Sequence, residues 1–160
     1  MSEEIRTATF GAGCFWGVEA RFREVPGVLS AISGYMGGKG PQPTYESVCT
    51  GNTGHAEVVQ LRFDAEKVDY ESLLELFFTL HNPTTLNRQG PDIGSQYRSA
   101  IFFHSESQYQ AARQAIEDAN RSGRWQQPLV TQLEAAPEFW PAEEYHQRYL
   151  EKHGLGFCSV

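Results

Sequence analysis

The chain has 160 residues, 40% of them hydrophobic, and a formal net charge of −7. That length fits a single domain over 1–160 with a core of its own. The acidic balance, with no basic run or basic–aromatic stripe, argues against nucleic acid or an anionic membrane as partner.

Ile5 to Ala12 reads as a buried strand and residues 14–24 as a helix, with Val18, Phe22 and Val25 on one face. Val25-Pro26-Gly27 breaks it, and Val28 to Met36 is a second strand. Residues 37–43 are a Gly/Pro loop, and Thr44 to Thr50 is a short helical or turn segment. His55 to Phe63 is a third strand. Asp69 caps a helix running to about Leu80. A long loop, Asn82 to Gln96, leads to a strand from Tyr97 to Phe103, which puts Tyr97 on one face with Ile101 and Phe103. Ser105 and Gln108 form a capping-box pattern for a helix to about Arg121. A strand over Gln127–Ala135 and a helix over Ala142–Lys152 follow, then an irregular tail ending Gly156-Phe157-Cys158-Ser159-Val160. The order β-α-β-β-α-β up to residue 103 predicts an α+β fold. Its core is a ferredoxin-like split βαβ with a mixed or antiparallel sheet, and extra helices are added to it.

The cysteines number three, with no close pairs, unlike a secreted disulfide framework. Met1-Ser2-Glu3-Glu4-Ile5-Arg6 lacks an apolar signal segment. No stretch approaches the ~18 apolar residues of a membrane span. A cytoplasmic setting and no membrane association are therefore expected.

The chemistry gathers around Gly11-Ala12-Gly13-Cys14-Phe15-Trp16-Gly17. A cysteine between a strand and a helix meets unpaired N–H groups and the positive dipole end, both of which favour a thiolate. Phe15 and Trp16 beside it suit a small apolar cage. The glycines imitate a dinucleotide fingerprint, but Trp16 stands where its third glycine belongs. In the third strand, period two puts Glu57 on one face with Val59, Leu61 and Phe63. A carboxyl there is desolvated, its pKa rises, and it becomes a proton donor near neutral pH. Tyr45 and Tyr97 offer hydroxyl donors, and Cys158 in the glycine-containing tail is a second thiol able to reach Cys14. His55-Ala56-Glu57 lacks the Cys-x-x-Cys of a zinc deaminase, and Cys49 with His55 lacks further ligands, so no metal is expected. Two other readings stay open on residues alone. One is a cysteine peptidase or acyltransferase with a histidine base; the other is a metal-binding or interaction domain.

Three ordered blocks resemble the type A peptide methionine sulfoxide reductases: Gly13-Cys14-Phe15-Trp16-Gly17, the run Tyr45 to Glu57, and Asp92-Ile93-Gly94-Ser95-Gln96-Tyr97-Arg98-Ser99. The resemblance implies that Cys14 attacks the sulfoxide sulfur while Phe15 and Trp16 cage the S-methyl group. It gives Glu57, Tyr45 and Tyr97 the sulfoxide oxygen and gives Asp92 a part in ordering the site. It implies the S epimer of methionine sulfoxide as substrate, free or in proteins, and a Cys14 sulfenic acid as product. A Cys14–Cys158 disulfide then follows, reduced by thioredoxin, or by dithiothreitol in vitro. No bound cofactor is expected, and a monomer is. Many relatives carry two recycling cysteines in a longer C-terminal segment. This tail has one, so Cys158 is expected as sole resolving thiol and Cys49 as structural.

Overall fold

The computed structural model describes residues 5–13, 15–38, 44–49, 54–89, 92–125 and 127–143, and of Cys49 only the backbone. The elements are β1 (Ile5–Ala12), α1 (Phe15–Arg23), β2 (Val28–Met36), α2 (Tyr45–Cys49), β3 (Ala56–Asp64), α3 (Tyr70–Thr79), β4 (Arg88–Gln89) and β5 (Asp92–Ile93). A 3-10 turn (Ser95–Tyr97), β6 (Ser99–Phe103), α4 (Glu106–Arg121), β7 (Gln132–Ala135) and β8 (Trp140–Pro141) complete them. The main sheet runs β7-β6-β1-β3-β2-β8. Its inner strands are antiparallel, with β3 inserted between β1 and β2. This is the split βαβ arrangement expected from the element order. β7 joins parallel to β6, which makes the sheet mixed.

Alternation along the strands builds two apolar layers. Ala8, Phe10 and Ala12 of β1 lie with Val59, Leu61 and Phe63 of β3 and Ile101 of β6, against Val18 and Phe22 of α1 and Leu73, Leu74 and Phe77 of α3. Phe10 sits at the centre, its ring 5.3 Å from Phe22 and 5.2 Å from Phe77. The intervening residues Met36, Ala56, Val58, Ala100 and Phe102 form the second layer, beneath Ala136 and Phe139.

α1 is fastened to β2 by polar contacts as well as by its apolar stripe. The buried Glu19 carboxylate accepts from Arg23 Nε at 2.8 Å and Ser33 Oγ at 2.6 Å, while Arg23 also reaches the Ala31 carbonyl. Such a pair is well placed because both carboxylate oxygens are satisfied.

Both expected N-caps are present: Asp69 Oδ1 accepts from Ser72 N–H, and Ser105 Oγ accepts from Gln108 N–H. The reciprocal arm of the capping box is displaced by one residue. Gln108 Oε1 accepts from the His104 N–H, and its amide donates to the Thr7 carbonyl, stitching α4 to β1.

Four expectations need correction. The strand expected from Tyr97 starts at Ser99, because the N–H groups of Tyr97 and Arg98 are used in the turn, donating to the carbonyls of Gly94 and Ser95. Tyr97 therefore does not share a strand face with Ile101 and Phe103. The strand expected over Gln127–Ala135 begins only at Gln132, since Leu129 N–H goes to Asn120 Oδ1 and Val130 N–H to the Pro83 carbonyl. The long loop contains the small β4–β5 pair. Ala142, expected to open a helix, instead donates its N–H to the Ser33 carbonyl, extending the line of β8 along β2; residues 144–152 of that expected helix lie outside the described residues.

β8 can approach because Gly34 has no side chain. A Cβ there would stand 2.5 Å from the Trp140 carbonyl oxygen, with the Phe139 ring equally in the way. Gly34→Ala should therefore lift the 139–141 segment and destabilise the fold by about 1–3 kcal/mol, as overpacking does. Urea unfolding monitored by tryptophan fluorescence measures the loss, and an unchanged midpoint would contradict this packing.

Candidate active site

Cys14 and Cys158 lie outside the described residues, as does the side chain of Cys49. The residues flanking position 14 are described. Gly13 has φ +95°, a left-handed conformation that suits glycine. A Cβ at Gly13 would stand 3.0 Å from Gln89 Cγ, so the Gln89 stem packs directly against this turn. Gln89 is itself locked, with its amide pairing both the N–H and the carbonyl of Asn82. Phe15 opens α1, and its N–H donates to Glu57 Oε1 at 3.2 Å.

Glu57 lies where the alternation of β3 puts it, on the apolar face, with 1% of its surface exposed. Oε2 has no hydrogen-bond partner among the described residues. Burial pushes the carboxyl up to about 8, against the Phe15 N–H, which pulls it down, and with the nearby Asp92 charge adding to the rise. At neutral pH the group is a carboxylic acid. Because Oε1 accepts from Phe15, the proton belongs on Oε2, ready for an acceptor brought by a substrate.

An aromatic cluster stands beside this acid. The Phe15 ring is 5.7 Å from Tyr35 and 6.4 Å from Tyr45, and the half-buried Trp16 ring is 6.3 Å from Tyr45. Tyr45 heads α2. Its N–H donates to Glu143 Oε2 at 3.0 Å, and the Tyr35 hydroxyl donates to Glu143 Oε1 at the same distance. Asp92, on β5, is close enough to bear on Glu57. Tyr97 ends the 3-10 turn, which packs on β3. Arg98 anchors that turn, with Nη1 to the Ser95 carbonyl and Nε to Gln132, both at 2.9 Å.

The structure thus brings together Glu57, Phe15, Trp16, Tyr45 and Asp92, and sets the Tyr97 turn on the same strand. Tyr35 and Glu143 were missed from sequence. Glu143 is 98 residues from Tyr45, and nothing local announces the contact.

The histidines bear on the hydrolase reading. His81 has both ring nitrogens bonded, to the Phe77 carbonyl and Ser99 Oγ, and burial holds it at about 4. His104 bonds Thr9. His55 is buried, and burial together with the Arg98 charge lowers its pKa. Among the described residues no group of three His, Cys, Asp or Glu is placed to hold a metal ion, and no helix is long and apolar enough to cross a membrane.

Comparison with known proteins agrees with this geometry. The family model described as peptide methionine sulfoxide reductase matches residues 6–160. A peptide methionine sulfoxide reductase MsrA of Geobacter metallireducens is 58% identical over 98% of this chain and 96% of its own. The MsrA of Methanothermobacter thermautotrophicus is 59% identical over 96% of this chain and 90% of its own. Among solved structures, Mxr1 of Saccharomyces cerevisiae in reduced form superposes with a TM-score of 0.89 at 34% identity, covering 96% of this chain and 88% of that one. Methionine sulfoxide reductase A of Corynebacterium diphtheriae superposes with a TM-score of 0.87 at 38% identity, covering 96% and 77%. A family match over nearly the whole chain, a buried acid bonded to the Phe15 N–H and an aromatic cluster next to it converge: the chain belongs to the peptide methionine sulfoxide reductase family.

Proposed function

We propose that this chain reduces the S epimer of methionine sulfoxide, free or in proteins, with Cys14 as nucleophile and Glu57 as acid. The observation that carries this reading is the buried Glu57 carboxyl, bonded through Oε1 to the N–H of the residue after Cys14 and with Oε2 lacking a partner among the described residues. A sulfoxide oxygen is a strong acceptor and a poor leaving group until protonated, which is what a neutral carboxyl supplies. The Cys14 thiolate attacks the sulfur, the oxygen takes the Glu57 proton, and oxygen passes to the cysteine. The products are the methionine thioether and a Cys14 sulfenic acid, a net two-electron transfer. Phe15 and Trp16 receive the S-methyl group, Tyr45 and Tyr97 donate to the oxygen, and Asp92 raises the pKa of Glu57.

Magnitudes say which group matters more. A free thiol of pKa ~8.5 is already about 3% ionised at pH 7, so complete ionisation gains at most roughly thirtyfold. General acid catalysis contributes about 10²–10⁴. The acid is the larger lever.

Recycling follows by attack of the Cys158 thiol on the sulfenic sulfur, releasing water and forming a Cys14–Cys158 disulfide. A dithiol, thioredoxin in the cell or dithiothreitol in vitro, reduces it by exchange. A yeast Mxr1 in complex with Trx2 shares the fold, with a TM-score of 0.64 at 21% identity, and supports thioredoxin as the partner class. A monomeric enzyme in a reducing cytoplasm fits the thiol chemistry. Turnover of dabsyl-methionine sulfoxide with dithiothreitol tests the activity, and inertness would overturn it.

Two predictions follow from the residue roles. Glu57→Gln should slow sulfoxide reduction at neutral pH by at least about a hundredfold. In the wild type the step should fall above pH about 8 as Glu57 ionises, and this alkaline limb should vanish in the variant. Stability moves with the same proton. The folded carboxyl sits at about 8 against an ordinary value of 4.5, so folding takes up a proton. Its stabilising contribution is therefore complete below about 4.5 and lost as pH rises through 8. Urea midpoints of wild type and variant should diverge over that window, and parallel profiles would refute the assignment.

Cys158→Ser should release one equivalent of methionine and then stall under thioredoxin-coupled turnover, whereas Cys49→Ser should cycle normally. A burst assay with peptide mapping of the oxidised protein decides the matter. A Cys14–Cys49 disulfide would reassign the resolving thiol.

A further inference from the structure

We propose that Glu143 is a positioning residue for sulfoxide reduction, acting through Tyr45. Its carboxylate is the joint between three separate parts of the chain. Oε2 receives the Tyr45 N–H, the first of α2, and Oε1 receives the Tyr35 hydroxyl from the end of β2. Glu143 is brought there by the edge pairing of β8 with Gly34 and Tyr35 and by the Ala142 N–H to Ser33 carbonyl bond. Tyr35 is fully buried and lies opposite Glu57 in the β2–β3 register, so one end of the joint is built into the frame that carries the acid. The other end is a helix of five residues. So short a helix does not hold its own orientation, since its hydrogen bonds cannot repay nucleation. A carboxylate at its first N–H supplies a charge-assisted bond. Holding that N–H fixes where the Tyr45 ring emerges over Phe15 and Trp16, and thus where its hydroxyl meets the sulfoxide oxygen.

The chemistry of the joint requires a carboxylate. Among the described residues two donors converge on it, and glutamate offers an acceptor to each. Glutamine has one acceptor and one donating amide, so one of the two donors would face N–H instead of oxygen.

The inference rests on the reading of Tyr45 as a donor to the sulfoxide oxygen, and a double-mutant cycle separates the two. The rate of the first reduction of dabsyl-methionine sulfoxide would be measured in a single turnover, which removes disulfide recycling from the result. The proteins are wild type, Tyr45→Phe, Glu143→Gln and the double variant. Glu143→Gln should slow the step about tenfold, the scale of one charge-assisted hydrogen bond, and Tyr45→Phe should slow it independently. In the Tyr45→Phe background the Glu143→Gln effect should shrink to about twofold or less, because a positioning residue has nothing left to position. Equal losses in both backgrounds, or no loss from Glu143→Gln beside a slowed Tyr45→Phe, would overturn the proposal. A Tyr45→Phe enzyme as fast as wild type would overturn the reading of Tyr45 itself. Should Glu143→Gln fail to fold, Tyr35→Phe carries the same cycle: it removes one donor and leaves the Tyr45 bond in place. A loss of about threefold that disappears with Tyr45→Phe supports the joint, and a loss that persists refutes it.

Discussion

The bond from the Phe15 N–H to Glu57 Oε1 is the contact on which the site depends. It joins the first residue of α1 to the dry face of β3, and so fixes the start of α1 relative to an acid. Everything else in the fold can be read as support for that distance. The inner sheet supplies the dry face. Phe10, stacked between the helices, sets the height of α1 above it. Glu19, Arg23 and Ser33 stop α1 from sliding along β2.

Two glutamates on this layer show how surroundings divide roles. Glu19 and Glu57 are each 1% exposed. Glu19 has both oxygens satisfied, one by a guanidinium and one by a hydroxyl, and its work is structural. Glu57 has one backbone N–H and one oxygen with no partner among the described residues. A buried polar atom left without a partner costs stability, and in a native protein it calls for an explanation. A ligand oxygen is the explanation the proposed chemistry offers.

Much of this was legible in the sequence, for reasons of periodicity and adjacency. Alternation along β3 puts Glu57 among Val59, Leu61 and Phe63, and the aromatic pair follows Cys14 directly. The caps of α3 and α4 were readable because they are local, three residues apart. What was not legible depends on distant chain. The alternation of Tyr97 with Ile101 and Phe103 reads as a strand, yet the turn ending at Arg98 consumes the N–H groups a strand would use. β8 is two residues long and contains a proline at a sheet edge, too little pattern to detect. Glu143 carries no local signal of its contacts, and only the pairing of β8 with β2 brings it to Tyr35 and Tyr45.

The reaction sets a condition on protons that free side chains do not meet. Free carboxyls ionise near 4.3 and free thiols near 8.5, so at neutral pH the pair would hold its protons in the unproductive order. Burial alone does not invert it, because a dry site neutralises acid and thiol alike. On the acid the structure acts by opposed influences. Glu57 is drawn into the sheet layer, which raises its pKa, and is then restrained by the Phe15 N–H, which lowers it. With the Asp92 charge adding to the rise, the opposing influences settle at about 8. With less burial the carboxyl would be ionised and have no proton to give. Without the N–H it would bind the proton more tightly and surrender it less readily. A group balanced near the working pH is at once protonated and willing to transfer, which is the condition for an efficient general acid. The same N–H that holds the start of α1 also tunes the acid, so one bond bears on both the geometry and the proton affinity of the site.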